Sequence, residues 1–142
     1  MSQTHVAMVT GASSGIGASI AALLAAGGAH VVVCGRNLER AAKVAGVLRE
    51  FGGSAVPVEF DVGSADLVEA GMRAVEAATT DLGPVDWLVN NAGLARSAPL
   101  ISPEGTSDAL FEEHMQVNFH GARRVMEALL RDAECERRPD EG

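Results

Sequence analysis

Residues 10–17 of this chain, Thr-Gly-Ala-Ser-Ser-Gly-Ile-Gly, have the types and spacing of an anion-binding turn. Gly11, Gly15 and Gly17 let a backbone turn sharply and approach a ligand closely, with Thr10, Ser13, Ser14 and Ile16 between and beside them. The free N–H groups and positive dipole end of a helix that follows such a turn favour a group such as a pyrophosphate. A Gly-x-x-x-Gly-x-Gly spacing alone is a weak signal. Its context strengthens it, because an apolar strand precedes it (residues 5–9, HVAMV) and a helix rich in small residues follows.

That first helix carries Ile16, Ile20, Leu23 and Leu24 as its expected apolar face and ends at Gly27 and Gly28. Residues 29–34 (AHVVVC) read as a second strand, rich in β-branched side chains. After a tight loop at residues 35–37, Asn37 can cap a helix whose face is Leu38, Ala41, Ala45 and Leu48, stopped by Gly52 and Gly53. The third strand, residues 55–60, contains Pro57. Proline lacks the N–H that a central strand uses, so this strand belongs at a sheet edge. Ser64 can cap the next helix, with Leu67, Gly71, Val75, Ala78 and Leu82 along one side and Gly83-Pro84 at its end. Residues 86–90 (DWLVN) are strand four. A loop leads from Asn91 to about Ser107, and a long helix is expected over residues 108–130, with Leu110, Phe111, Met115, Phe119, Val125, Met126 and Leu129 among its apolar positions. Strand and helix alternate four times, the rhythm of right-handed parallel βαβ units with helices on both faces. The expected strand order is 3-2-1-4, with the ligand site at the carboxyl ends of strands one and four, where the winding reverses. The organisation read from this is one domain over residues 1–130. Residues 131–142 (RDAECERRPDEG) then form a charged, frayed, solvated tail with no legible fifth strand.

Composition narrows the partners. The 142 residues are 47% apolar and 21% charged, ordinary for a globular domain able to bury a core. No apolar run approaches the ~20 residues of a membrane span and the N-terminus has no signal-peptide pattern, so a cytoplasmic protein is the expectation. A formal charge of −8 argues against nucleic acid, which is held by clustered Lys and Arg. Cys34 in an apolar strand and Cys135 in the tail read as unpaired thiols. His114 and His120 are not at the i, i+4 spacing of a helical metal pair, and no metal site is expected.

Four motifs in order and spacing resemble the short-chain dehydrogenases/reductases, in the subfamily with the Thr-Gly-x-x-x-Gly-x-Gly turn. They are residues 10–17, Asp61-Val62 after strand three, Asn90-Asn91-Ala92-Gly93 after strand four, and Val117-Asn118 in the long helix. The resemblance covers residues from about 5 to 130 and implies a Rossmann-like doubly wound α/β fold, truncated after about four strands. It implies that Gly11, Gly15 and Gly17 form the cofactor turn, with Ser13 and Ile16 at positions that approach the dinucleotide. Asp61 would accept from the adenine amino group, with Val62 against the ring. Asn90 resembles the residue that ties strand four to its neighbours, with Ala92 and Gly93 passing close to the ribose and Thr10 hydrogen-bonding near this segment. Asn118 resembles the asparagine that positions a water in the family's proton relay. Taken singly, Asp61 reads equally as a turn residue and Asn118 as a polar helix residue; their joint spacing favours the site. Where family members that use NAD place an acid after strand two, this chain has Gly35 and Arg36, with Arg40 nearby. That points to NADP(H) over NAD(H), because an arginine fork suits a 2′-phosphate. Arg40 alone reads as an exposed helix arginine.

The resemblance stops at the reaction itself. The family's chemistry uses a serine and a Tyr-x-x-x-Lys pair later in the chain, and after Asn118 this sequence has no Ser, Tyr or Lys. It holds no tyrosine anywhere, and its only lysine is Lys43. The expectation is an NADP(H)-dependent oxidoreductase acting on an alcohol or carbonyl, present as an incomplete chain that does not catalyse alone. The alternatives are a non-catalytic NADP(H)-binding module and an interaction subunit that borrows the missing half from a partner. An apolar edge at Trp87, Leu88 and Val89, together with the long helix over residues 108–130, would favour homo-oligomerisation.

Overall fold

The computed structural model describes residues 4–97 and 107–137. Four parallel strands, β1 (Val6–Val9), β2 (His30–Gly35), β3 (Ser54–Glu59) and β4 (Trp87–Val89), form one sheet in the order β3-β2-β1-β4. This is the order expected from the alternation. β3, with Pro57 paired to Val33 across the ladder, lies at an edge. At the base of the sheet the Asp86 carboxylate takes the Val6 N–H (2.9 Å) and pairs with His5 Nδ1 (2.6 Å), while the His5 ring stacks on Trp87. Short β4 is thereby moored to β1 before its ladder begins.

Helices α1 (Gly15–Ala26) and α2 (Leu38–Glu50) cover one face over Ala7, Val9, Val31, Val33 and Ala55. The other face, with Met8, Val32, Cys34 and Val58, is covered by α3 (Ala65–Thr79) and α5 (Ala122–Arg137). The Asn37 and Ser64 side chains cap α2 and α3, accepting from Arg40 N (2.9 Å) and Leu67 N (3.3 Å).

Two helical faces differ from the expectation, and a third departs from it at one residue. α1 buries Gly17, Ala21 and Ala25, while Ile16 and Leu23 are exposed (76% and 74%) and Ile20 and Leu24 pack only at the flank. The cause is proximity: the glycine turn pulls the start of α1 so close to the sheet that only small side chains fit beneath it. α2 buries Ala41, Ala45 and Leu48 as expected, with Leu38 half-exposed in its first turn. α3 is rotated by about one residue and buries Val68, Gly71, Met72, Val75 and Thr79. Gly71 sets that rotation by lying flat on the Phe60 ring, where an added Cβ would sit 2.5 Å from Cδ2. Leu82 lies beyond the helix, which ends in two threonines whose hydroxyls bond back to the preceding turn.

The long helix expected over residues 108–130 is three segments: α4 (Asp108–His114), a π-helical stretch (Met115–Gly121) and α5. It continues through residues 131–137, which the sequence suggested as tail. Ala, Glu and Arg are good helix formers, and no Pro or Gly interrupts them there. Residues 138–142, Pro139 included, and residues 98–106 of the loop lie outside the described residues. Among the described residues no helix is long and apolar enough to cross a membrane.

Candidate cofactor site

A cleft of about 410 Å³ opens at the carboxyl ends of the strands. Each strand contributes residues at or just beyond its end: the glycine turn after β1, Gly35 at the end of β2 with Arg36 after it, Phe60, Asp61 and Val62 after β3, and residues 91–94 after β4. Parallel strands end at the same side of a sheet, so residues distant in sequence converge there.

The glycine turn is built by close approach. Gly11 has φ +65°, and a Cβ on it would come 2.8 Å from Ala92 Cα. A Cβ on Gly17 would collide with Gly11 O and Asn91 Nδ2. The turn is thus pressed against the exit of β4, and a hydrogen-bonded lock holds it. Thr10, 1% exposed, accepts at its Oγ1 from the backbone N–H groups of Asn91 and Ala92 (3.0 Å each). The Asn91 amide donates to Thr10 O and Gly11 O (3.1 Å each).

The tie expected of Asn90 is therefore made by Asn91, while Asn90 is exposed and outside the cleft lining. Strand parity is the reason. Ala7 faces Trp87 and Val9 faces Val89 in the ladder, so Asn91 continues the face that carries α1 and its turn, and Asn90 follows Leu88 toward the opposite core. Counting the parallel register onward from Val89 is the signal that would have found it.

Ser14 occupies the N-cap position of α1, yet its side chain makes no capping bond. The side chains of Asn37, Ser64 and Ser107 do cap α2, α3 and α4. The first-turn N–H groups of α1 are left to the cleft, where Ser13, Ser14, Gly15 and Ile16 line the wall. At the end of β2, Gly35 has no side chain because Ser13 stands over it: a Cβ there would lie 2.8 Å from Ser13 Cβ. Arg36 and Arg40 line the same end. Among the described residues neither guanidinium is in an ion pair, since nearby Glu39 pairs with Lys43 (3.0 Å). Asp61 is a turn residue, its Oδ1 accepting the Gly63 N–H (2.8 Å), and it also lines the cleft. Val62 is buried against the core at the rim.

Asn118 stands outside the cleft lining, and its side chain is committed to the segment after β4, whose Leu94 does line the cleft. Its Oδ1 accepts the Leu94 N–H (2.6 Å) and its Nδ2 donates to Leu94 O (2.8 Å). Gly93 lies beside it, and an added Cβ there would sit 3.4 Å from Asn118 Oδ1. Asn118 lies within the π stretch, a feature that concentrates at functional sites. Val117, the first residue of the Val117-Asn118 motif, lines the cleft; Leu94 and Glu113 also line it, and nothing in their residue types singled them out in advance. Cys34, directly behind Gly35, is fully buried and its thiol is pushed up by that burial, so it offers no thiolate to the site. No cluster of three or more metal-ligating side chains occurs among the described residues.

The family model described as short chain dehydrogenase matches residues 5–138. The chain is 40% identical over 125 residues to gluconate 5-dehydrogenase of Gluconobacter oxydans, covering 88% of this chain and 46% of that protein. Among solved structures it resembles a gluconate 5-dehydrogenase from Burkholderia cenocepacia in complex with NADP and tartrate, at TM-score 0.77 and 36% identity, covering 90% of this chain and 48% of that one. A metagenomic short-chain oxidoreductase in complex with NADP matches at TM-score 0.74 and 35% identity, covering 89% of this chain and 56% of that one. The chain spans about half the length of each of these three relatives.

Proposed function

The chain belongs to the short-chain dehydrogenase/reductase family, and from that premise we propose that its cleft binds NADP(H) in preference to NAD(H), in the service of hydride transfer to or from an alcohol or carbonyl. The observation that carries the cofactor preference is the end of β2: Gly35 in place of an acid, followed by Arg36 and Arg40 with no carboxylate paired to either among the described residues. The uncapped start of α1 suits a pyrophosphate, and Gly15, a lining residue where a Cβ would meet no protein atom, leaves the backbone there open to close approach by a ligand. In this reading Arg36 forks onto the 2′-phosphate, Asp61 accepts from the adenine amino group, and Ala92 and Gly93 pass beside the ribose.

When bound, NADPH supplies a hydride. Carbonyl reduction also needs a proton at the oxygen, and these 142 residues contain no tyrosine to give it. Lys43 is on the exposed side of α2 against Glu39, away from the cleft lining. The proposed role of these residues is therefore to bind and orient the dinucleotide, with Asn118 holding the cleft wall rather than moving a proton by itself.

Melting followed by Trp87 fluorescence tests the proposal. NADPH at 100 times its dissociation constant should add ~2.7 kcal/mol, or roughly 5 to 10 °C. NADH should add less, and Arg36→Gln should shrink the difference. Equal shifts from both cofactors would refute the assignment of Arg36, and no shift from either would refute the cofactor site. Reduction of carbonyl compounds by the 142-residue chain would refute a purely binding role.

A further inference from the structure

The segment leaving β4 is held twice. Its first part is fastened to β1 through Thr10 and Asn91; its second part, residues 94–96, is strapped to the helix opposite. The second attachment has a chemical requirement that the first lacks. His114 Nδ1 lies 2.7 Å from Leu110 O, a carbonyl that can only accept, so Nδ1 carries the proton. Nε2 is then a lone pair, and it accepts the backbone N–H of Arg96 at 3.0 Å. One tautomer of one histidine therefore closes the strap.

Two consequences reach the cleft. Leu94, two residues before Arg96, forms part of the lining. Glu113, also in the lining, has its Oε2 at 3.0 Å from Arg96 Nη1. A bare carboxylate there would oppose an anionic dinucleotide, and Arg96 cancels it. An ion pair this exposed contributes little on its own account. The bonds that fix the strap backbone decide where the guanidinium stands.

We propose that His114 is a positioning residue for the cofactor cleft: as a neutral hydrogen-bond acceptor it latches the strap at Arg96, which keeps Leu94 in the wall and the Glu113 charge masked. This rests on the NADP(H) reading only for its effect on affinity; the latch itself is a property of the free protein.

The test is a comparison of the chain with His114→Leu, which keeps bulk and loses the acceptor, and His114→Gln, whose Oε1 can accept in place of Nε2. Amide hydrogen exchange without cofactor should rise about tenfold at Arg96 in His114→Leu, the scale of one neutral hydrogen bond, and return toward the parent in His114→Gln. NADPH affinity should fall about threefold to tenfold in His114→Leu, recover in His114→Gln, and recover as well when Glu113→Gln is added to His114→Leu. Unchanged exchange at Arg96 in His114→Leu overturns the latch, as does equal loss in both single variants. Raised exchange with unchanged NADPH affinity overturns its role in the cleft. Failure of the parent chain to bind NADPH sinks the cofactor reading instead, and the exchange comparison still decides the latch.

Discussion

Replacing Thr10 by valine preserves shape and removes one oxygen from the lock between β1 and β4. That oxygen accepts two backbone N–H groups, those of Asn91 and Ala92, at 3.0 Å each. The Asn91 N–H keeps Val89 O as a second acceptor at 3.1 Å, so valine leaves one donor, the Ala92 N–H, without its acceptor, at a cost of roughly 1–3 kcal/mol. For a chain of this size that lowers the melting temperature by roughly 3 to 9 °C. Thr10→Ser is the control, since it keeps the hydroxyl and loses one buried methyl at about 1 kcal/mol. Urea denaturation followed by Trp87 fluorescence reads both variants, Trp87 being at the start of the strand the lock secures. The expected order is Thr10→Val less stable than Thr10→Ser. If valine is tolerated as well as serine, the hydroxyl is not what holds β4, and the account of the turn is wrong.

Two glycines in helices should respond with opposite sign. Gly46→Ala, in the interior of α2 with open space around it, should raise stability by about 0.5–1 kcal/mol. Gly17→Ala, whose Cβ would meet the backbone of Gly11, should lower it by more than that and weaken NADPH binding; denaturation midpoints and a fluorescence titration decide both. His30 gives a pH dependence. Its ring pairs with Ser54 at Nδ1, its Nε2 is buried without a partner among the described residues, and burial lowers its pKa. The folded state therefore resists a proton that the unfolded chain takes up near pH 6.5, so stability is full above that pH and falls as the pH drops below it. His30→Gln should flatten that fall; matching slopes for the two proteins between pH 7.5 and 5.5 would refute the assignment.

The alternation of apolar runs with helical stretches, Pro57 in strand three, and the glycine spacing at residues 10–17 were enough to order the sheet and place the cleft. They are local signals: a backbone without N–H belongs at an edge, and a turn with positive φ wants glycine wherever it stands. The caps Asn37 and Ser64 were legible for the same reason, since a cap bonds within its own helix.

What only the tertiary structure decided depends on the neighbour across the gap. Hydrophobicity placed Ile16 and Leu23 on the buried side of α1, but the distance between that helix and the sheet selected Gly17, Ala21 and Ala25 instead. Asn90 and Asn91 are the same residue type, and the parallel ladder with β1 chose which one reaches Thr10. The grip of Asn118 on Leu94 and of His114 on Arg96 joins residues 24 and 18 positions apart. No periodicity carries such a contact, because it exists only when a strand end and a helix are brought to the same edge of the sheet.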